Sequence, residues 1–378
     1  MLTYDDLPQR LNLAGYFVDR NLDEGRADKV ALVCGERRCT YAELAELINR
    51  TGHVLRDLGV RPGDRVLIAV GDGIEFVAIW YAVLKIGAVV ADVYTFLQPK
   101  DYAYYLDYTQ APVAVVDAGT LSRVREGAQL QGGRYLRELL VVGDDPDEFA
   151  ARVAQAPGDL DPEPTTRDDI AIWKFTTGST GAPKAAVHCV HDPIICFHSY
   201  ARTVLGYRED DVVLPVPKLF FGYARDATAL FSFGVGATGV VFAERSTPQR
   251  LFELISRHRP TILVQVPTMI KEMVAHPDAG NQDLSCLRLC ISSGEALPAD
   301  LYRAWYERFG VEVLDGVGSS EAYHIYISNR SGEVRPGSVG RVVPGYEALV
   351  VGSDCAPAPV DESGELWVRG DSAALMYW

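Results

Sequence analysis

The chain has 378 residues, 48% of them hydrophobic, so it can bury at least one large core and is too long for a single small module. Lys and Arg total 36 against 51 Asp and Glu, and the net charge of -15 argues against non-specific binding of nucleic acid or anionic lipid. The seven cysteines include no CxxC pair and no Cys/His cluster at zinc spacing, which favours free thiols over a structural zinc site.

The N-terminal residues lack the basic stretch and apolar run of a secretory signal. The most apolar segment, residues 76–93, is interrupted by Lys85, Gly87 and Asp92, so it does not have the pattern of a membrane span. We therefore expect a soluble cytoplasmic protein with no membrane partner.

Helical and strand patterns alternate along most of the chain. Thr40 can cap a helix whose apolar residues recur every three or four positions, and Gly59 stands where a left-handed residue would end it. Short apolar strands between such helices predict parallel sheets that are buried on both faces. Strands are predicted at 65–70, 113–116, 170–175, 212–216, 239–242, 262–266 and 287–292, and further helices at 74–86, 248–258 and 298–309.

The pattern changes after about residue 330, where strand candidates at 338–343, 348–351 and 365–369 follow one another without helices. A stretch rich in Pro, Asp and Thr at 156–166 marks a second seam. The sequence thus predicts an α/β fold with a first α/β subdomain at 1–165, a second at 166–329 and a partial antiparallel β subdomain at 330–378.

The strand at 170–175 runs into a loop of small hydroxyl residues and glycines that a lysine closes. Glycines let backbone N–H groups approach phosphate oxygens, hydroxyls add donors, and the ammonium group supplies a local positive charge. A chance match to this nine-residue pattern is expected on the order of once in a million chains of this length. The loop, Thr176-Thr177-Gly178-Ser179-Thr180-Gly181-Ala182-Pro183-Lys184, therefore predicts a polyphosphate site.

A P-loop is the obvious alternative, because residues 178–184 almost reproduce its pattern. Pro183 stands where the second glycine must allow close approach, and Ala185 replaces the hydroxyl residue that would hold magnesium. The loop therefore belongs to a different kind of phosphate site.

With this loop, the sequence resembles the adenylate-forming superfamily of acyl- and aryl-CoA synthetases, carrier-protein adenylation domains and luciferases. Within that superfamily it is most similar to benzoate-CoA ligases and related aryl-acid activators, through the Lys218–Tyr223 and Glu321–Ile325 segments. The other matching motifs, in chain order, are Thr40–Leu44, Gly63–Val66, Leu84–Ala88, Ser292–Pro298, Gly318–Glu321 and Gly364–Leu366.

The resemblance implies that ATP and Mg²⁺ are used to activate a carboxylic acid. Lys184, Glu321 and Ser320 would be catalytic, and Glu321 would bind the metal, because a hard cation prefers carboxylate oxygen. Val317 departs from the aromatic residue often found beside adenine, which leaves only dispersion contacts there. The ATP-binding set would be Thr176, Thr177, Gly178, Ser179, Thr180, Gly181, Lys184, Gly294, Glu295, Ala296, Asp315, Gly316, Val317, Ser320 and Glu321.

For the acid pocket, the resemblance implies a flat slot of aromatic residues and glycines. Tyr223 and His324 would bind the carboxylate or a ring substituent, or else be satisfied by the backbone. The charged Arg225 and Asp226 depart from the small, uncharged residues expected after this segment. Asp226 facing the pocket would suit an amino or hydroxyl substituent on the acid, but we expect the two residues to form a surface pair. The slot residues would be Phe221, Gly222, Tyr223, Gly318, Ser319, His324 and Ile325.

Three functions remain open from the sequence. The first is activation of an aromatic, benzoate-type acid to an acyl adenylate, followed by thioester formation with coenzyme A. The second is aryl-acid adenylation that loads a carrier protein, and the third is a non-catalytic ligand-binding member of the fold. Members of the superfamily continue into a C-terminal domain, and we expect that domain to be absent from this chain, which would then be weakly active or inactive alone.

Overall fold

A computed structural model of the chain describes residues 2–130, 132–143, 148–176 and 181–378. The strands are β1 Val30–Cys34, β2 Arg37–Thr40, β3 Arg65–Ala69, β4 Val89–Asp92, β5 Val113–Asp117, β6 Glu138–Val142, β7 Ile170–Thr176, β8 Lys184–Cys189, β9 Val212–Pro215, β10 Thr238–Val241, β11 Ile262–Gln265, β12 Leu289–Ser292, β13 Val313–Gly318, β14 Ile325–Ser328, β15 Arg341–Val342, β16 Tyr346–Val351, β17 Glu365–Gly370 and β18 Met376–Tyr377.

The α-helices are α1 Arg20–Asp23, α2 Tyr41–Asp57, α3 Ile74–Lys85, α4 Pro99–Thr109, α5 Leu121–Leu130, α6 Glu148–Gln155, α7 His191–Cys196, α8 Gly222–Arg225, α9 Ser232–Val235, α10 Pro248–His258, α11 Pro267–Ala275 and α12 Ala299–Phe309. Gly15–Asp19, Phe197–Arg202 and Asp226–Phe231 are π-helical, and Tyr4–Asp6, Gly132–Arg134 and Ala279–Asn281 are 3₁₀ turns. In the described ranges, no helix is long and apolar enough to cross a membrane.

Helix α2 forms where the capping pattern predicts it. The backbone N–H of Glu43 donates to Oγ1 of Thr40 at 3.2 Å, and the backbone N–H of Thr40 donates to the Glu43 carboxylate at 2.7 Å. This reciprocal pair satisfies two amides that the helix itself leaves unpaired. Gly59 follows the helix with φ 85°, a conformation that costs glycine little. The predicted helix is confirmed at both ends.

Two large mixed sheets carry most of the fold. The seven-stranded sheet has the order β18-β8-β7-β4-β3-β5-β6, and the nine-stranded sheet has the order β15-β14-β13-β12-β11-β9-β10-β1-β2. The inner strands of both sheets run parallel, and β2, β8, β14, β15 and β18 pair antiparallel at or near the edges. The predicted α/β class with parallel sheets is confirmed.

Neither sheet is confined to one side of the predicted seam near residue 165. Strands β1 and β2, from the N-terminal segment, join the nine-stranded sheet, whereas β7 and β8, from beyond the seam, join the seven-stranded sheet. Helix α3 contacts β4 in one sheet and β1 in the other, and eleven of its twelve residues are buried. A helix packed between two sheets buries all of its faces, so it must be apolar on all sides, as α3 is. The residue boundaries of the subdomains stay a prediction.

After residue 330 the strands are antiparallel, and they divide among three sheets. Only β16 and β17 form a sheet of their own, whereas β15 extends the nine-stranded sheet and β18 pairs with β8 of the seven-stranded sheet. Strand spacing along the chain could not reveal these partners, because β-pairing is decided by contacts between distant residues.

Candidate active site

The C-terminal ends of strands from both sheets open onto one cleft of about 1230 Å³. Strand β4 ends there at Asp92, β7 at Thr176 and β13 at Gly318, and Ser293 follows the end of β12. The crevice beyond the carboxyl ends of parallel strands is where ligands bind in open α/β sheets. The topology therefore places the described ends of the phosphate loop, Thr176 and Gly181–Lys184, and the predicted acid slot at the same cavity.

On the nucleotide side, Thr176 ends β7 and pairs in register with Lys184, which begins β8. Both residues line the cleft, as does Gly181, and the side chain of Lys184 is exposed. The Lys184 ammonium lies 5.5 Å from the ring centre of Tyr377. The other predicted phosphate contacts, Thr177, Gly178, Ser179 and Thr180, lie outside the described residues.

Ser320 and Glu321 line the cleft just beyond β13. Glu321 is half-buried, and its Oε1 accepts a 2.5 Å hydrogen bond from the Tyr377 hydroxyl. Behind them, buried His188 bonds the Ser320 carbonyl through Nε2 at 2.7 Å and the Asp192 carboxylate through Nδ1 at 2.6 Å. The backbone that carries Glu321 is thus tied to a buried carboxylate through one imidazole ring.

The predicted adenine-side residues fall into two groups. Gly294 and Glu295 line the cleft; Gly294 has φ 91°, and Glu295 accepts a 2.7 Å hydrogen bond from Thr268. The remaining four, Ala296, Asp315, Gly316 and Val317, are not among the residues that line it. Burial raises the pKa of Asp315 to about 6.

All seven residues of the predicted acid slot line the cleft, and they come from two places in the fold. Phe221, Gly222 and Tyr223 surround the start of α8, and the other four belong to β13, β14 and the turn between them. The rings of Tyr223 and His324 lie 5.4 Å apart at a 35° tilt. A Cβ on Gly318 would stand 2.3 Å from the His324 carbonyl oxygen, so only glycine allows this close approach.

His324 presents a hydrogen-bond acceptor to its surroundings. Its Nε2 lies 3.1 Å from the Tyr223 carbonyl, which can only accept, so Nε2 carries the hydrogen. Burial lowers the pKa of His324 to about 4, so the ring is neutral near pH 7 and Nδ1 is an acceptor. Within the described part of the chain, neither Nδ1 of His324 nor the Tyr223 hydroxyl has a hydrogen-bond partner. Two buried polar atoms of the slot residues therefore lack a partner in the described protein.

Arg225 and Asp226 do not form the expected surface pair. Their exposed fractions are 2% and 0%, and they are bonded to each other at 3.0 Å beneath the cleft. The expectation was wrong because it treated two adjacent charges as solvated. Burial of such charges becomes affordable once partners from other elements complete their hydrogen bonds.

Those partners are Asp92 at the end of β4 and Lys174 within β7, neither of which the motifs single out. Arg225 donates to both Asp92 oxygens at 2.8 and 2.7 Å, and Lys174 donates to Asp226 at 2.5 Å. Burial raises the pKa of Asp226, but the opposing effect of Arg225 and Lys174 is larger and holds it below its usual value. The structure thus adds a buried ionic cluster to the acid side of the site.

Tyr323 stands within the Glu321–Ile325 motif, which gave it no role; it holds φ 71°, a rare conformation for a residue with a bulky side chain. Its carbonyl accepts a 2.5 Å hydrogen bond from Lys174, and its hydroxyl lies 3.3 Å from Asp226. A charged residue within an otherwise apolar strand, as at Lys174, was the one signal in the sequence that could have pointed to this cluster.

The site offers few protein ligands for a magnesium ion. No three His, Cys, Asp or Glu side chains come together as a ligand group in the described ranges. Glu321 supplies one carboxylate at the cleft surface, with Oε1 bonded to Tyr377. A single carboxylate suits Mg²⁺, which takes its other ligands from water and substrate phosphates.

The chain matches a known protein family along most of its length. The AMP-binding enzyme family matches residues 18–378. The chain is 42% identical to a benzoate-CoA ligase of Thauera aromatica, over 98% of this chain and 71% of that protein. It is 36% identical to a 4-hydroxybenzoate-CoA/benzoate-CoA ligase of Rhodopseudomonas palustris, over 97% and 68%.

Two solved structures have nearly the same backbone. An anthranilate CoA ligase in complex with anthranoyl-AMP superposes with a TM-score of 0.96 at 34% identity, over 100% of this chain and 72% of that one. A benzoate CoA ligase from Burkholderia xenovorans LB400 superposes with a TM-score of 0.90, also at 34% identity, over 97% and 73%. The family match and the relatives together show that this chain belongs to the AMP-binding enzyme family.

Proposed function

We propose that this protein is an acid-thiol ligase, which uses ATP to convert an aromatic carboxylic acid into its acyl adenylate and then into a coenzyme A thioester. The observation that carries the proposal is a single cleft in which Lys184 and Glu321 lie beside the aromatic slot of Phe221, Tyr223 and His324. Groups suited to phosphate and groups suited to an aromatic ring line the same cleft, as binding of one mixed anhydride would require.

The proposed chemistry needs positioning more than it needs an acid or a base. A carboxylate oxygen of the acid attacks the α-phosphorus of ATP, the bond to the bridging oxygen breaks, and pyrophosphate leaves. The thiol then attacks the acyl carbon and AMP leaves. Lys184, exposed at the start of β8, would stabilise the negative charge that develops on the phosphates.

Glu321 would hold Mg²⁺ together with phosphate oxygens, and the ion would neutralise negative charge during pyrophosphate departure. The hydrogen bond from Tyr377 would orient the carboxylate. His188 would keep the Ser320 carbonyl and the adjoining turn in place through its bond to buried Asp192.

The relatives support an aromatic acid and coenzyme A. The two ligases from Thauera aromatica and Rhodopseudomonas palustris are named for benzoate-type acids and CoA, and the anthranilate ligase was solved with an aryl adenylate. The slot of Phe221, Tyr223 and His324 fits a planar ring. Loading of a carrier protein and a purely non-catalytic role are not favoured by these relatives.

The test uses a stable mimic of the intermediate, benzoyl-sulfamoyl-adenosine, in which a sulfamate stands for the α-phosphate. Calorimetry with the 378-residue chain should show that it binds at least a hundredfold more tightly than benzoate or AMP alone, because joining two ligands removes one association cost. The matched control is hexanoyl-sulfamoyl-adenosine, which should bind at least tenfold more weakly.

Turnover is assayed as benzoate-dependent release of pyrophosphate and, with CoA present, as benzoyl-CoA detected by mass spectrometry. Tighter binding of the hexanoyl mimic would contradict the aromatic substrate class. Failure of both mimics to bind would contradict adenylate formation itself.

A further inference from the structure

Four buried charged residues lie at the floor of the cleft. Lys174, Arg225, Asp92 and Asp226 are each at most 7% exposed, and their formal charges sum to zero. Three of them, Lys174, Arg225 and Asp92, also line the cleft. A buried cluster of charges is costly to desolvate unless each donor and acceptor has a hydrogen-bond partner.

Arg225 uses four of its five N–H donors within the protein. It forms a bidentate pair with Asp92, donates through Nε and Nη2 to Asp226, and stacks 4.8 Å from the Trp80 ring centre. One N–H of Nη2 remains, and Nη2 would lie 3.4 Å from a Cβ built on Gly222, farther than Nζ of Lys174, so we assign Arg225 to holding Asp226 in place.

Lys174 is different, because an ammonium group has three N–H donors. Two are used, toward Asp226 and the Tyr323 carbonyl, both at 2.5 Å. No third oxygen acceptor contacts Nζ in the part of the chain that the structure describes; the face of the Tyr323 ring, 3.5 Å away, is a weaker partner. Lys174 therefore reaches the cleft with one donor that a ligand oxygen can use.

Gly222 shows that the ammonium lies inside the acid slot. A Cβ built on Gly222 would stand 2.9 Å from Nζ and 3.0 Å from Cε of Lys174. Part of the room that the glycine leaves is thus taken by the lysine, and the ammonium borders the space where a ring would lie.

We propose that Lys174 is a specificity-determining residue, which donates a hydrogen bond to a ring hydroxyl of the aryl acid. The inference rests on the proposed function, since it names a substituent on the acid that the same slot binds. The preferred substrates are then hydroxybenzoates, not unsubstituted benzoate.

The charge balance and His324 favour a hydroxyl over other substituents. A second carboxylate would add an unpaired negative charge to a cluster that is already neutral, which is costly at this burial. A hydroxyl accepts from Lys174 without adding charge, and it could also donate to a neutral acceptor such as the unpartnered Nδ1 of His324, a residue that lines the same cleft. An aromatic amine is a poor acceptor and does not match the ammonium.

The experiment compares hydroxyl and methyl substituents, which are similar in size, at each ring position. Calorimetry with the 378-residue chain measures binding of benzoate and of the 2-, 3- and 4-isomers of hydroxybenzoate and methylbenzoate. A hydrogen bond to a charged donor should make one hydroxy acid bind about ten- to hundredfold more tightly than its methyl counterpart. Isophthalate and the aminobenzoates should bind more weakly than that hydroxy acid.

Two variants test the assignment to Lys174. Lys174→Met removes the donor but leaves an excess buried negative charge, so the double variant Lys174→Met/Asp226→Asn, which keeps the cluster neutral, is measured beside it. Folding of both is checked by circular dichroism. The hydroxyl-to-methyl preference should fall to less than about threefold in the folded variants, while benzoate still binds. A residue with a purely structural role would change all affinities together and keep the ratio.

Several outcomes would overturn the inference. If benzoate and the methylbenzoates bind as tightly as every hydroxybenzoate, the inference is refuted and the proposed function stays intact. The same holds if an aminobenzoate binds more tightly than every hydroxybenzoate. A preference that survives in the double variant would assign it to another residue. Failure of every aryl acid to bind would reject the proposed function and this inference together.

Discussion

The two sides of the cleft treat charge in opposite ways. On the acid side, Lys174, Arg225 and Asp226 are buried and bonded to one another before any ligand arrives. On the nucleotide side, Lys184 and Glu295 are exposed to solvent. One half of the site is a rigid, desolvated floor, and the other is an open surface.

The difference follows from what each side would bind. A small ring is distinguished from its analogues by a few fixed polar groups, and these discriminate best when water cannot replace a missing substituent. A polyphosphate brings its own charge and must enter and leave from water, so exposed donors suffice. Selectivity is therefore expected to depend on the buried side, and nucleotide affinity on the exposed side.

The largest effect is expected for Asp226→Asn. Loss of this carboxylate leaves Lys174 and Arg225 with an excess buried positive charge, so the free energy of unfolding should fall by about 3–5 kcal/mol. Urea denaturation measures the change. Glu347→Gln, which breaks the exposed bidentate pair with Arg369, is the matched control and should leave stability unchanged. If both substitutions lowered the free energy of unfolding equally, the buried and the exposed ion pairs would not differ in their contribution to stability.

His324 should make stability depend on pH. Its folded pKa of about 4 lies below the unfolded value of about 6.5, so its contribution is complete above pH 6.5 and is lost as pH falls toward 4. Between pH 6.5 and pH 4, His324 should lower the free energy of unfolding by up to about 3 kcal/mol, and His324→Gln should abolish this decrease. Denaturation of both proteins between pH 4 and pH 7 measures it, and parallel curves would contradict burial of a neutral imidazole.

Lys184→Gln should weaken ATP binding about ten- to hundredfold without a measurable loss of stability, because the side chain is exposed and serves a ligand. Lys271→Gln, at an exposed position of α11 outside the cleft, is the control. Calorimetry with ATP and Mg²⁺ gives the affinities. Unchanged ATP affinity would show that the phosphates are held elsewhere.

Gly222→Ala tests how firmly Lys174 is held. The new Cβ would lie 2.9 Å from Nζ, at the end of a side chain that is normally flexible but is fixed here by two hydrogen bonds. We expect a loss of about 1–2 kcal/mol in the free energy of unfolding. Gly181→Ala, which has open space around the added Cβ, should have no such effect, and thermal denaturation compares the two. Equal stability of both variants would show that Lys174 moves freely.

Local patterns predicted local structure well. The capping pair of Thr40 and Glu43 forms as expected, and the predicted helix at 248–258 has those same bounds, because both depend on contacts within one turn. The ordered motifs likewise identified residues that line one cleft, among them Lys184, Glu321 and His324. The roles of these residues stay predictions.

The sequence by itself thus determined the α/β class, the approximate bounds of the elements it predicted and two groups of residues that line the cleft. Only the tertiary structure decided which strands share a sheet, and that Asp92, Lys174, Arg225 and Asp226 form one buried cluster. These residues are up to 134 positions apart, from Asp92 to Asp226, and no periodicity links them. From sequence alone, two adjacent opposite charges are expected to be solvated. They can be buried only when the fold supplies partners that replace water, and those partners are distant in sequence.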